Sequence, residues 1–198
     1  MRSRRVDYTE STRQALVDSA LELFTKRGYA ATSLDAIVKR ARVTKGALYH
    51  HFNGKQALFE AAFDAVETAA IGRLSVAMDS DGTAWDRAMA GIHAYVSICL
   101  DPSYQRIVIH EAPVVMGWER WREAEEHFSY GLVRGTVESL VDAGEIEPLP
   151  VEVTARVLFG ALSAGAETIA GAPDPKKAAA DVTKTITTVM NGMRRMPA

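Results

Sequence analysis

Apolar residues recur every three or four positions along most of the chain, a spacing that places them on one face of a helix. The first helical segment ends at Gly28, and its inward positions are Leu16, Ala20, Leu23 and Phe24. We find no run of alternating apolar and polar residues of the kind that marks a strand. The pattern therefore predicts an all-α fold.

Two short helical segments follow in close succession. The second segment begins with Thr32 and Asp35, which are spaced as a capping box, and the third begins at Thr44, whose hydroxyl can cap it. About three residues separate these two helices, which is the spacing of a helix-turn-helix motif. Asn53-Gly54 then breaks the chain before a long fourth helix.

Turn-forming residues divide the remainder of the chain into five more segments with helical periodicity. Pro113 and Gly144 are among the residues that end them. The segments are predicted at about 83–100, 103–111, 117–143, 151–171 and 175–194.

Charge is distributed unevenly between the two ends of the chain. Residues 1–55 contain eleven Lys or Arg against five Asp or Glu, a net charge of +6, whereas residues 56–198 carry −8. A basic N-terminal quarter on an acidic body indicates an anionic partner at that end. We therefore predict a DNA-binding helix-turn-helix domain at 1–55 and a second domain at 56–198.

The composition narrows the class of protein. With 47% apolar residues, the chain of 198 can bury a substantial core, and no uncharged apolar run is long enough to span a membrane. The first residues are basic but lack the apolar stretch of a secretory signal. Cys99 is the single cysteine, so an intramolecular disulfide is impossible and the cytoplasm is the expected location.

The stretch VTKGALYHHFNGKQALFEA, residues 43–61, brings together groups that can contact DNA. Lys45 can donate to guanine and Thr44 to a base or a phosphate, because the N-terminal end of a recognition helix meets the base edges. Small residues let the backbone approach the groove, and other polar side chains can donate to phosphates. The predicted DNA-contacting residues are Ser33, Arg42, Thr44, Lys45, Gly46, Ala47, Tyr49, His50 and Lys55.

Some of these residues also fit simpler interpretations. Tyr49 could be a core aromatic side chain instead of a phosphate contact. The arm formed by Arg2, Arg4 and Arg5 could be a solvated tail, or it could reach phosphates or the minor groove. His50 and His51 are adjacent, and adjacent side chains on a helix point about 100° apart, so we expect no metal site there. We also expect no cofactor.

The segment TSLDAIVKRARVTKGALYHHFNGKQALFEA resembles the DNA-binding region of the tetracycline-repressor (TetR) family of bacterial transcriptional regulators. The similarity covers roughly residues 10–63, and Leu-Tyr-His-His-Phe followed by Gly-Lys-Gln-Ala-Leu is highly characteristic. Beyond about residue 66 the similarity is one of architecture. It implies a nine-helix dimer in which helices one to three bind DNA, helices five to seven enclose an effector pocket, and helices eight and nine form the dimer interface.

Two residues depart from the pattern that the resemblance leads us to expect. Arg42 stands where the family often has Gly, and Val38 stands where it often has Ala. A residue other than Gly in a turn that needs a positive φ costs about 1 kcal/mol, so the turn is expected to be strained. Arg42 could in return add a phosphate contact.

All three tryptophans lie outside the DNA-binding segment, among residues that can line an apolar pocket with a few polar groups. Together with the resemblance, this predicts a small and mostly apolar effector. Each of these residues could instead belong to an ordinary core. The predicted effector-binding residues are Trp85, Tyr95, Cys99, His110, Met116, Trp118, Trp121 and Phe128.

Two apolar stripes run along the last two predicted helices. Gly160 and Gly165 would permit a close approach of helices, and doubling the pair by a two-fold axis would give a four-helix interface. The predicted interface residues of the homodimer are Leu158, Leu162, Ala166, Ile169, Val182, Ile186, Val189 and Met193.

The sequence carries no signature of an enzyme. His110-Glu111 resembles the start of a zinc-protease motif, but Val114 occupies the place of the second histidine, and Gly54-Lys55 lacks the other residues of a phosphate-binding loop. We interpret the chain as a homodimeric repressor that a small effector releases from a palindromic DNA operator. The alternatives are a DNA-binding regulator without an effector and a helical ligand-binding protein with a vestigial helix-turn-helix.

Overall fold

The computed structural model describes residues 2–195, apart from the side chains of residues 2–8 and of Glu125. The described part of the chain consists of nine helices, their connections and an isolated bridge between Ile146 and Arg194. Within it, none of the helices combines the length and the apolar character that a membrane span needs. The all-α prediction is confirmed, whereas the predicted arginine arm falls on side chains outside the described ones.

The nine helices follow the order that the sequence pattern predicts. The first five are α1 (Arg2–Ala31), α2 (Leu34–Ala41), α3 (Lys45–His51), α4 (Lys55–Met78) and α5 (Ala84–Cys99). The next two contain π-helical turns: α6 is Tyr104–Glu111 followed by Ala112–Val115, and α7 is Trp118–Glu125, Glu126–Tyr130 and Gly131–Asp142. The last two are α8 (Val151–Gly171) and α9 (Pro175–Met193).

Pro113 does not end α6, contrary to the boundary predicted near residue 111. The proline lies in the first turn of the α-helical segment that follows the π-helical one, a position where proline is tolerated. The helix therefore continues to Val115 before Gly117, with φ of 86°, turns the chain.

The chain divides into two compact units. The first comprises residues 1–67 and 102–121, and the second comprises residues 68–101 and 122–198. The boundary between the two units lies within α4, directly after Glu67. These units are defined by packing, whereas the predicted domains 1–55 and 56–198 are defined by function, and that functional division stays a prediction.

Three aromatic rings lie at the centre of the first unit. Phe59 is 5.3 Å from both Phe24 and Tyr29 between ring centroids, and it meets both edge to face. Such pairs add to the free energy gained by burying the rings. Leu48 of α3 is also buried in this unit, which fixes one side of that short helix and leaves the other side to solvent.

The core of the second unit is built mainly from α5, α7, α8 and α9. Trp85 packs in it, and its backbone N–H donates to the Glu145 carboxylate. Gly165 lets α8 approach α9 closely, since a Cβ there would lie 2.8 Å from a methyl group of Val182. The other buried members of this core are Ala84, Ala88, Ile92, Val137, Leu140, Ile146, Ala155, Leu158, Ile186 and Met190.

The predicted dimer-interface residues differ in their burial within one chain. Most of the two stripes on α8 and α9 packs in the core that these helices form with α5 and α7, and their part in a dimer stays a prediction. Four of the eight predicted residues are buried in the protomer: Leu158, Ala166, Ile169 and Ile186. Three more are partly buried against the core of the second unit: Leu162, Val182 and Met193. Val189, at 51% exposure, is the one of the eight that remains open.

Candidate nucleic-acid interface

Side-chain caps fix the starts of α2 and α3. The Ser33 hydroxyl accepts the N–H of Ala36, and the Thr44 hydroxyl accepts the N–H of Ala47, both at 3.2 Å. The predicted cap at Thr44 is confirmed, but the capping box predicted at Thr32 is wrong. Thr32 is buried and donates its hydroxyl to the carbonyl of Gly28 at 2.8 Å, so the next residue takes the cap.

The turn between α2 and α3 has the strained conformation that the family resemblance implies. Arg42 has φ of 56° and ψ of 39°, the left-handed conformation, and its N–H donates to backbone carbonyls near the end of α2. Val43 donates to the carbonyl of Val38 at 3.1 Å, which closes the turn. A residue with a Cβ is disfavoured here, whereas the exposed guanidinium is available to a phosphate.

We expect Arg42→Gly to raise the free energy of unfolding by about 1 kcal/mol, because glycine adopts the left-handed conformation without a steric cost. Chemical denaturation would measure this gain. Arg42→Ala is the matched control, since it removes the same guanidinium and keeps the strain. A loss of DNA affinity shared by both variants would assign a phosphate contact to Arg42, and equal stability of both variants would contradict the strain.

One side of α3 presents polar groups to solvent. Leu48 is buried on the opposite side and Ala47 is half-buried between the two. Tyr49 is 59% exposed, so the alternative of a core tyrosine does not describe it. The exposed residues of this surface are Thr44, Lys45, Gly46, Tyr49 and His50.

An ion pair links the first turns of α2 and α3. The Lys45 ammonium lies 2.7 Å from the Asp35 carboxylate, and both side chains are about two-thirds exposed. The hydrogen bond that the ammonium donates to this carboxylate, and then the carboxylate's charge, raise the pKa of Lys45 above the ordinary value for lysine. The residue predicted to read a base is therefore fully charged and positioned by a residue of the other helix.

Lys55, predicted as a phosphate contact, makes internal contacts instead. Its ammonium donates to the carbonyls of Tyr29 at 2.6 Å and Thr32 at 2.9 Å, and it lies 4.2 Å from the centroid of the Tyr29 ring. Both carbonyls follow the kink of α1 at Gly28, so the lysine satisfies backbone acceptors that the helix leaves open. Two of its three donors are thus occupied, and a phosphate contact stays a prediction.

Replacing Lys55 by Met should lower the free energy of unfolding by about 2 kcal/mol. The substitution keeps most of the side-chain length but removes charged donors, whose hydrogen bonds contribute about 1.5–3 kcal/mol each when well shielded. Thermal and urea denaturation would measure the loss, with the exposed Lys39→Met as control. An unchanged stability together with a DNA salt slope reduced by about one per protomer would favour the phosphate contact instead.

A second set of contacts at the α1 kink comes from α6. The Glu111 carboxylate accepts the N–H of Tyr29 at 2.8 Å and the guanidinium of Arg106 at 3.1 Å. Gly28 has φ of 80°, and a Cβ there would come within 2.6 Å of the Glu111 carboxylate. The N–H of Tyr29 is thus held by α6 and its carbonyl by Lys55 of α4.

The predicted effector residues fall into both compact units. In the first unit, Trp118 and Trp121 lie together, with ring centroids 4.8 Å apart, whereas His110 is exposed and Met116 half-buried. Trp121 is buried, and its indole N–H has no hydrogen-bond partner among the described residues. In the second unit Trp85 and Cys99 are buried, and Tyr95 and Phe128 are half-buried. Trp85 is a core residue, as the sequence alternative allowed.

An exposed apolar face remains on α8. Val153 and Val157 are 63% and 65% exposed, and small residues continue the same face toward the end of the helix. This face was not predicted from the sequence, although its spacing of four, three and four residues is readable there. The residues of this α8 face are Val153, Val157, Gly160, Ala161 and Ala164.

Two short capped helices, a tight turn and a polar exposed surface on the second helix define a DNA-binding protein of the helix-turn-helix class. Comparison with known proteins agrees. Residues 16–62 match the profile for bacterial regulatory proteins of the tetR family, and residues 85–193 match the tetracyclin repressor-like C-terminal domain. The chain belongs to the TetR family of transcriptional regulators, which bind DNA and are not enzymes.

Individual relatives extend the similarity along most of the chain. The Tn10 TetC protein of Escherichia coli is 29% identical over 151 residues, 76% of each chain. The transcriptional regulator SrpR of Pseudomonas putida is 48% identical, but over 52 residues, 26% of this chain and 24% of that one. A TetR-family regulator of Pectobacterium atrosepticum of known structure is 28% identical with a TM-score of 0.86, covering 97% of this chain and 98% of the other.

Proposed function

We propose that the protein is a homodimeric repressor that binds a near-palindromic operator and is released from it by a small, mostly apolar effector. The observation that supports this most strongly is the hydrogen bond between α6 and the end of α1, from the Tyr29 N–H to the Glu111 carboxylate. Residues 102–121 carry four of the predicted effector residues, and they belong to the same compact unit as the helix-turn-helix. A change in α6 therefore acts directly on the helix that supports α2.

The DNA contacts are assigned to the polar surface of α3. Thr44 and Lys45 lie at its N-terminal end, where a recognition helix meets base edges, and Tyr49 and His50 lie on its exposed side. In a dimer, two such helices about one DNA turn apart, roughly 34–36 Å, read the two halves of a palindrome. The net charge of +6 on residues 1–55 favours the approach of DNA to this end.

The α8 face is the proposed centre of the dimer interface. Exposed valines flanked by glycine and alanine allow two copies of α8 to pack closely about a two-fold axis. Charged side chains lie next to the valines: Glu152 accepts the Tyr130 hydroxyl at 2.5 Å, and Arg156 lies 4.5 Å from the Tyr130 ring centroid. An apolar centre with a charged rim is the usual anatomy of a protein interface.

Trp121 supports the chemistry proposed for the effector. A buried N–H without a protein partner costs free energy, and an acceptor on a bound ligand would remove that cost. The neighbouring Trp118 ring would supply apolar surface. We therefore propose an effector that combines an apolar body with at least one hydrogen-bond acceptor.

The test is a screen of apolar compounds for release of selected operator DNA, followed by tryptophan emission. A releasing compound should change the tryptophan emission. Operator DNA should lower the protein's affinity for the compound by the same factor by which the compound lowers its affinity for operator DNA. Trp121→Phe should lower its affinity roughly tenfold and leave DNA binding by the free protein intact. Unchanged affinity for Trp121→Phe and Trp118→Phe would contradict this placement of the effector.

A further inference from the structure

The Lys45–Asp35 ion pair needs an explanation beyond stability. Both side chains are about two-thirds exposed, and an ion pair so open to water contributes little to folding. A carboxylate on a surface that approaches phosphates also lowers the affinity for DNA of any sequence. In the first turn of α2, the negative charge of Asp35 interacts favourably with the helix dipole, but that role does not require contact with a lysine of α3.

The pair has the chemistry of one particular base-pair edge. In the major groove, guanine offers two adjacent acceptors, N7 and O6, and the paired cytosine offers the N4 amino donor beside them. An ammonium donates only and a carboxylate accepts only, so the two groups match these sites in order. An ammonium with three donors can keep its carboxylate at 2.7 Å and still donate to guanine.

An A·T pair fits less well. In the register that fits G·C, the ammonium would gain one acceptor on adenine and face its amino group, and the carboxylate would face the thymine O4 acceptor in place of a donor. The G·C pair therefore offers two more charged hydrogen bonds than the A·T pair does in that register. Such a difference in bidentate contacts changes affinity by about 5–150-fold at that position.

We propose that Lys45 and Asp35 act as one reading unit that selects a G·C base pair in each half of the operator. Lys45 donates to the guanine, and Asp35 accepts from the cytosine amino group and holds the lysine in position. The inference rests on the proposed use of α3 as the reading helix. It adds Asp35, a residue of the preceding helix, to the groups that decide sequence.

Selection of bound sequences from random duplex DNA tests the proposal with wild type, Asp35→Ala and Lys45→Ala. Wild type should enrich a G·C pair at a fixed position of each half-site. Both variants should lose that preference by at least about fivefold, while Asp35→Ala binds random duplexes more tightly than wild type does. Asp18→Ala, which removes another exposed carboxylate of the same unit, should leave the preference unchanged.

Modified bases give a test in the unmutated protein. N4-methylcytosine at the selected position blocks the amino donor and should weaken wild type but not Asp35→Ala. If Asp35→Ala tightens binding to all sequences equally and keeps the same preference, Asp35 is only a repelling charge and the inference is overturned. A chain that selects no sequence at all would instead overturn the proposed function, and this inference with it.

Discussion

A Val157→Glu variant should be a folded monomer that no longer binds its operator tightly. Val157 lies in the middle of the α8 face and is 65% exposed in the single chain, so the charge does not disturb the protomer. In the dimer the two-fold axis would bury two unpaired carboxylates close together, at a cost of several kcal/mol. Sedimentation would show the monomer, and operator affinity should fall by at least about a hundredfold because the two half-sites are then bound independently.

Val76→Glu is the matched control for this experiment. Val76 is an exposed valine of α4, 77% open, and it lies outside the α8 face. The Val76→Glu substitution should leave both the dimer and the operator affinity unchanged. Charges at Leu158 or Ile186 would be poor tests, since both side chains are buried in their own chain and the protomer itself would unfold. A Val157→Glu protein that still sediments as a dimer would place the interface elsewhere.

Replacing Glu111 by Ala should uncouple the effector from DNA. The Glu111 carboxylate is the contact of α6 with the N–H of Tyr29 at the kink of α1, so its loss frees α1 from movements of α6. A coupling of about 1–3 kcal/mol, or 5–150-fold in operator affinity, should shrink to less than about twofold. Effector binding to the free protein should change little, because Glu111 is not among the predicted effector residues.

Titrating operator DNA with and without a releasing compound would measure this coupling for each variant. Glu119→Ala removes an exposed carboxylate from the same unit and should keep the wild-type response. Glu111→Ala also leaves the Tyr29 N–H without its acceptor, so its stability should be measured in parallel. Full release of DNA by the compound from a folded Glu111→Ala protein would show that the signal takes another route.

Local features of the fold were readable from the sequence, whereas contacts between distant residues were not. The Thr44 cap depends on a few neighbouring residues, and the strained position of Arg42 was implied by the family resemblance; both are confirmed. The capping box failed because Thr32 and Ser33 are adjacent hydroxyls, and only the path of the chain decides which one is buried.

The candidate site was predicted by residue type, and the structure changes the partners of those residues. Lys55 follows a break and resembles a free phosphate contact, but the two carbonyls that it binds lie more than twenty residues earlier. Glu111 and Tyr29 are 82 residues apart, a separation that no local pattern reveals. The stripes of α8 and α9 were recognised as apolar, but periodicity does not tell a stripe buried in its own chain from one that meets a partner.

In the proposed function, two copies of α3 read the two halves of one operator. The most direct test of this is selection of sequences bound by the wild-type protein from random duplex DNA, with the bound stoichiometry measured on the enriched duplex. We expect a near-palindrome with half-site centres about one helical turn apart, bound by an even number of chains. Enrichment of a single site without symmetry, bound by one chain, would contradict it.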